Sequence, residues 1–159
     1  MTKKYEIWTD GASARNGKPD CAGGWAFIVF CDGKEVHRGS GYEKPSSNQR
    51  MELTAAIEGA KSVFANIGPF DAVTIYSDSA YLINCKNQDW WRNWMMNGWK
   101  NAKQQPVANQ DLWELLVPYF QMSNVEWVKV KGHNGVALNE EVDKMAVAAK
   151  IKGDKEIIL

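Results

Sequence analysis

The chain has 159 residues, enough for one domain with its own hydrophobic core and no need of covalent staples. Hydrophobic residues make up 45% and charged residues 24%, which excludes a disordered or low-complexity chain. Lys plus Arg and Asp plus Glu each total 19, so bulk charge offers no attraction for nucleic acid, and any such function must rest on local patches.

The first third has the pattern of strands. Tyr5 to Thr9 is a short alternating run that ends at Asp10-Gly11. After a loop rich in Gly, Asn and Pro, Trp25 to Phe30 is almost continuously apolar, as in a strand buried on both faces. Asp32-Gly33 between two strand-like runs is a strong hairpin signal, with Val36 to Tyr42 returning. The period then becomes helical: Leu53, Ala56, Ile57, Ala60, Phe64 and Ile67 share a face, with Ser47 or Asn48 as N-cap and Gly68-Pro69 as terminator. Ala72 to Tyr76 is a β-rich run leading into Ser77-Asp78-Ser79, where Ser79 can cap a second helix. Asp89 to Trp99 is aromatic and broken by Gly98; Lys100 to Asn109 is polar; Asp111 to Gln121 is a helix. Val125 to Val130 forms the last strand, Gly132 to Leu138 a loop, and Val142, Met145, Ala146 and Ala149 a closing helix. The order β-β-β-α-β-α-α-α-β-α predicts an α/β domain with a mixed sheet over residues 1–152, followed by a tail over 153–159.

Cys21, Cys31 and Cys85 contain no C-x-x-C pair, which argues against both a disulfide framework and a zinc site. The N-terminus has no apolar signal core, and no run approaches the ~18 apolar residues of a membrane span. A cytoplasmic setting without membrane attachment is expected.

Two acidic residues sit at matching places, Asp10 after the first strand and Asp78 after the fourth. Ligands of open α/β sheets bind beyond the carboxyl ends of parallel strands, so adjacent parallel strands would bring the two together. Glu52, in the first turn of its helix, and Asp143, beside the apolar stripe of the last, can join them. Four crowded carboxylates repel one another unless cations neutralise them, and oxygen ligands without Cys or His select Mg²⁺ or Mn²⁺. Two such ions ~4 Å apart suit in-line phosphodiester displacement. Taken singly, each residue also has a plain structural reading. Asp78 fits a turn former, Glu52 a capping-box partner and Asp143 a solvated helix-face charge.

The blocks Trp8-Thr9-Asp10-Gly11-Ala12-Ser13, Asn48-Gln49-Arg50-Met51-Glu52-Leu53-Thr54, Ile75-Tyr76-Ser77-Asp78-Ser79 and Val130-Lys131-Gly132-His133 with Asn139-Glu140-Glu141-Val142-Asp143 resemble type 1 ribonuclease H in order and spacing. The resemblance runs from about Tyr5 to Lys150. It implies a ribonuclease H-like fold with a five-stranded mixed sheet flanked by helices. It also implies a monomer that hydrolyses the RNA strand of RNA–DNA hybrids to 3′-hydroxyl and 5′-phosphate ends. Asp10, Glu52, Asp78 and Asp143 match the carboxylates that bind two Mg²⁺ ions, with Mn²⁺ as a substitute, and Asp10 is expected to bridge them. Glu52 would also touch a ribose 2′-hydroxyl, the group that distinguishes RNA from DNA. His133 matches the mobile catalytic histidine, a side chain suited to shuttling protons or releasing product. Ser47, Asn48 and Gln49 match the segment that reads the minor groove, and Asn16 an asparagine that contacts the RNA strand.

Trp90, Arg92, Trp94, Lys100 and Asn109 fall in a segment resembling the handle that grips the DNA strand. The plain alternative is that Trp90, Trp94 and Trp113 belong to the core. This handle is poor in charge: Met95, Met96, Asn97, Gln104 and Gln105 leave Arg92, Lys100 and Lys103 as its cations. A reverse-transcriptase domain is disfavoured because the chain begins at its first strand. Two rivals remain, a hybrid-binding module without catalysis and a DNA-cutting nuclease on the same fold.

Overall fold

The computed structural model describes residues 2–13, 21–131 and 137–155. Three strands open the chain: β1 (Lys4–Ser13), β2 (Gly23–Cys31) and β3 (Lys34–Glu43). They form an antiparallel meander, with β2 pairing β1 on one side and β3 on the other. The β2–β3 turn has φ of 49° at Asp32 and 85° at Gly33. Two consecutive left-handed residues make a turn whose twist matches that of the strands it joins, which is why Asp-Gly signals a hairpin.

Helix α1 (Asn48–Phe64) then crosses the sheet and returns the chain to β4 (Ala72–Ser77), which runs parallel to β1. Three helices follow, α2 (Ala80–Asn87), α3 (Trp90–Met96) and α4 (Gln110–Phe120). They lead to β5 (Val125–Lys129), parallel to β4, and then to α5 (Ala137–Asp154). The sheet order is β3-β2-β1-β4-β5, the expected five-stranded mixed sheet.

Side chains alternate across the central strands, so both faces are apolar and both are covered. Ile7, Phe27, Val29, Val73, Ile75 and Trp127 face α1 and α4, packing with Leu53, Ala56, Ala60, Trp113, Leu116 and Phe120. Trp8 and Ile28 point the other way and pack with Val142 of α5. Trp8 also stacks on Tyr76 at 4.2 Å between ring centroids.

Of the boundaries that differ from the sequence expectation, three bear on how the site and α5 are held. Asp10 lies inside β1, because that strand keeps pairing with β2 through Ser13 after its pairing with β4 ends at Trp8. Helix α1 ends at Phe64, and Ile67 packs on the core from the following turn. Helix α5 continues through Gly153 and Asp154 into the segment expected as a tail. Asp154 accepts a hydrogen bond from the Ala22 amide at 2.7 Å, and the bare Gly153 backbone lies against Ala22 and Tyr42.

Helix α5 lies tight against the sheet at Gly24 of β2. A Cβ there would overlap the Ala146 carbonyl oxygen and the Lys150 amide of α5, both of them backbone groups that a rotamer change cannot move. Gly24→Ala is expected to lower stability by about 2–4 kcal/mol through displacement of α5. Urea unfolding measures this; a loss under ~0.5 kcal/mol would contradict the close packing.

Candidate active site

The sheet splits where β1 and β4 part. β4 ends at Ser77, with Asp78 just beyond it, while β1 carries Asp10 and Gly11 onward beside β2. Thr9 ties the two strands at the fork by donating from Oγ1 to the Tyr76 carbonyl at 3.0 Å. The crevice is therefore a product of strand pairing, and it opens at the carboxyl ends of parallel strands.

Helix α1 brings in the third carboxylate. Ser47 is its N-cap, accepting from the Arg50 amide at 3.2 Å. Counting from that cap, Glu52 lies in the second turn, not the first, and Arg50 occupies the position a capping-box Glu would fill. The helix rests directly on Gly11, where a Cβ would lie 2.5 Å from both the Glu52 nitrogen and the Met51 carbonyl carbon. Only glycine permits this approach. The bare Gly11 N–H then donates to Glu52 Oε1 at 2.9 Å. The second Glu52 oxygen faces the Ser77 hydroxyl at 3.4 Å. Ser77 Oγ in turn accepts from the Ser79 amide at 3.1 Å, while Ser79 caps α2 through the Leu82 amide.

Carboxylate oxygens of Asp10, Glu52 and Asp78 lie within 4.8 Å of one another. Asp10 is 2% exposed and Glu52 5%. Burial comes first among the causes that drive both carboxyls well above the ordinary carboxylate range. The Glu52 and Asp78 charges push Asp10 further, and Asp143 of α5 is a hydrogen-bond partner of the protonated Asp10. Glu52 is partly relieved by Asp10, by the Gly11 N–H and by Ser77. A cluster held at this electrostatic cost, with oxygen donors alone, fits hard divalent cations such as Mg²⁺ or Mn²⁺.

The cleft has a volume of about 500 Å³, and Asp143, Asn48, Gln49, Ser13 and Tyr81 share its walls with the three clustered acids. Asn48 and Gln49 are exposed on the first turn of α1. Asn16 and His133 lie outside the described residues.

The expected handle residues stand apart from the carboxylates. Trp90 and Trp94 are half-buried, and Trp94 packs among Trp90, Trp99 and the buried Trp113. Arg92 lies over the buried Trp91 ring at 4.4 Å and pairs with Asp89 at 3.0 Å. Lys100 is exposed. The Asn109 amide is engaged by Arg50 and Tyr81. Tyr81 thus joins the handle to the cleft.

Three contributors were not singled out from the sequence. Ser77 could have been found, because it shares the inward parity of Val73 and Ile75 yet carries a hydroxyl. Arg50 and Tyr81 offered no such local signal.

A sheet of this order, split beside a carboxylate cluster, defines the ribonuclease H-like fold. The chain belongs to the ribonuclease H family, whose model (RNase H) matches residues 2–151, and is accordingly an endonuclease of the hydrolase class. It is similar to the ribonuclease H of Syntrophomonas wolfei subsp. wolfei, with 44% identity over 144 residues covering 91% of this chain and 94% of that one. The ribonuclease H of Treponema denticola is 42% identical over 156 residues, covering 91% and 95%. Among solved structures, LC9-RNase H1, described as a type 1 RNase H with the type 2 active-site motif, superposes with a TM-score of 0.79 at 28% identity, covering 96% of this chain and 74% of that one. A foamy viral protease-reverse transcriptase in complex with an RNA/DNA hybrid has a TM-score of 0.74 at 20% identity, a likeness of fold over 93% of this chain and 20% of that one.

The raised Asp10 and Glu52 carboxyls set a pH dependence for the metal-free protein. A carboxyl raised on folding favours the folded state when protonated. Its contribution is complete below the unfolded value near 4 and is lost as pH climbs through the raised folded value. Asp71, Asp111 and Asp154 are held low by their hydrogen-bond donors, and they act oppositely, on acidification. Metal-free stability should therefore fall between about pH 5 and pH 9, and Asp10→Asn should raise it by about 1–3 kcal/mol at pH 8. Thermal unfolding in a chelator reads both, and a profile flat across that window would refute the electrostatic cost.

Proposed function

We propose that this chain hydrolyses the RNA strand of RNA–DNA hybrids, with two divalent cations held by Asp10, Glu52, Asp78 and Asp143. The convergence of Asp10, Glu52 and Asp78 within 4.8 Å, beside exposed Asn48 and Gln49, carries this reading. When bound, the two cations would supply activation of the attacking water and stabilisation of the leaving oxygen. The chain's own groups do the rest. Gly11 and Ser77 fix both oxygens of Glu52, so that its orientation toward a ribose 2′-hydroxyl is set before substrate arrives. The Ser77–Ser79 turn holds the backbone around Asp78.

In the same reading, Ser47, Asn48, Gln49 and Asn16 meet the hybrid along its minor groove, and His133 moves protons or eases product release. Trp90, Arg92, Trp94, Lys100 and Asn109 face the DNA strand. The protein works as a cytoplasmic monomer and takes Mg²⁺, with Mn²⁺ as a substitute. No helix among the described residues is long and apolar enough to cross a membrane.

A labelled hybrid, double-stranded RNA and double-stranded DNA, each incubated with Mg²⁺, test the substrate class. Cleavage confined to the RNA of the hybrid supports the proposal, and cutting of duplex DNA or of no substrate refutes it. Asp78→Asn is expected to reduce cleavage at least ~10³-fold while hybrid binding changes little; a variant that still cleaves in Mg²⁺ would overturn the assigned site.

The handle should bind with little help from charge. Arg92 is already paired with Asp89, leaving Lys100 and Lys103 to meet phosphates. Hybrid affinity should fall less steeply with salt than in a relative with a strongly basic handle, and Met96→Lys, at an 87% exposed position, should steepen the slope by about one unit. Binding titrations at several salt concentrations measure this, and an already steep native slope would contradict it.

A further inference from the structure

Helix α1 serves two places at once. Successive helical residues are ~100° apart, so Arg50 and Glu52 leave the helix on nearly opposite sides. Glu52 enters the carboxylate cluster; Arg50 turns to the start of α4. Its Nε donates to Glu43 Oε1 at 3.0 Å. Its two terminal nitrogens make a forked pair of bonds to Asp111, at 3.1 and 3.0 Å. Nη1 also donates to Asn109 Oδ1 at 3.3 Å.

Asn109 is unusual for its place. It stands at the N-cap of α4 with φ of 61° and ψ of 28°, and its side chain makes no capping hydrogen bond. That conformation is one asparagine tolerates better than most residues. With no cap to form, the carboxamide is free for other partners. Nδ2 donates to the Tyr81 hydroxyl at 3.2 Å, an oxygen that also accepts from Trp113 Nε1 at 3.2 Å. A carboxamide can turn over at little intrinsic cost, but a guanidinium has donors and no acceptor. Turning Asn109 over would set N–H against N–H. Arg50 thereby selects one orientation, with Oδ1 bound, one Nδ2 hydrogen on Tyr81, and the other left for an oxygen of the substrate.

We propose that Arg50 is a positioning residue for hybrid binding: it touches no substrate, and it fixes the Asn109 carboxamide and the first turn of α4 against the catalytic helix. This rests on the proposed function, in which Asn109 meets the DNA strand. Stability alone is a poor reason for the arrangement, because the Asp111 side chain is 65% exposed and solvated ion pairs contribute little.

Steady-state cleavage of the hybrid with Mg²⁺ tests it in a double-mutant cycle. Asn109→Ala should raise KM about tenfold with kcat within about twofold. Arg50→Gln should raise KM about three- to tenfold, again sparing kcat. The double variant should match Asn109→Ala within about twofold, because Arg50 acts through Asn109. A direct phosphate contact or a general structural role would instead multiply the two effects, and that result overturns the inference. So does a fall in kcat at constant KM, or an Arg50→Gln variant with native KM where Asn109→Ala is impaired. If Arg50→Gln fails to fold, Arg50→Lys and Asp111→Asn run the same cycle with smaller increases of the same kind. An Asn109→Ala variant of native KM overturns the inference together with the contact beneath it, whereas a native enzyme that leaves hybrid intact refutes the proposed function itself.

Discussion

The site depends on one close contact, the seating of α1 on the bare backbone of Gly11. That contact sets how far Glu52 reaches into the fork between β1 and β4, and it supplies the N–H that meets Glu52 Oε1 at 2.9 Å. Asp10 and Asp78 arrive by a separate route, as consequences of parallel pairing that stops at Trp8 and Tyr76. Sheet geometry thus brings two carboxylates together, and a helix that only glycine can accommodate adds the third. Burial and mutual repulsion then make the metal-free cluster a liability for the fold, one that a bound cation would remove.

Helix α1 is tied to the carboxylate cluster on one side and to α4 on the other. Glu52 is tied to the backbone and to Ser77, whereas Arg50 ties α1 to α4 on its other side. A shift of α1 would disturb both together, so the spacing between cleft and handle is as rigid as the helix itself. The handle's aromatic residues chiefly build its own interior. The half-buried Trp94 packs against three other tryptophans, and Trp91 is covered by Arg92. Part of this ring cluster is thus committed to packing, while Trp90, Trp94 and Trp99 each keep some exposed surface.

Local chemistry made much of this legible in the sequence. The Asp32-Gly33 turn, the two-faced apolar run of β2 and the Ser47 and Ser79 caps each follow from their immediate neighbours, and the element order follows from them. The boundaries that shifted were settled by distant partners. Asp10 is inside its strand because β2 pairs with it, and α5 runs to Asp154 because that side chain meets Ala22, 132 residues away. The four acids were visible as candidates, but their positions alone left each a plain structural alternative. The tie from Arg50 to α4 was not visible at all, since Asn109 and Asp111 lie 59 and 61 residues on, and asparagine at a helix start suggests a cap.

The two buried carboxylates sit in different surroundings. Glu52 has Asp10, the Gly11 amide and the Ser77 hydroxyl to lower the cost of its charge, against burial and the Asp78 charge, which raise it. The groups acting on Asp10 are Glu52, Asp78 and Asp143, and every one of them makes its ionisation harder. Both buried carboxyls therefore stand to gain from nearby positive charge, Asp10 from a position between Glu52 on α1 and Asp143 on α5.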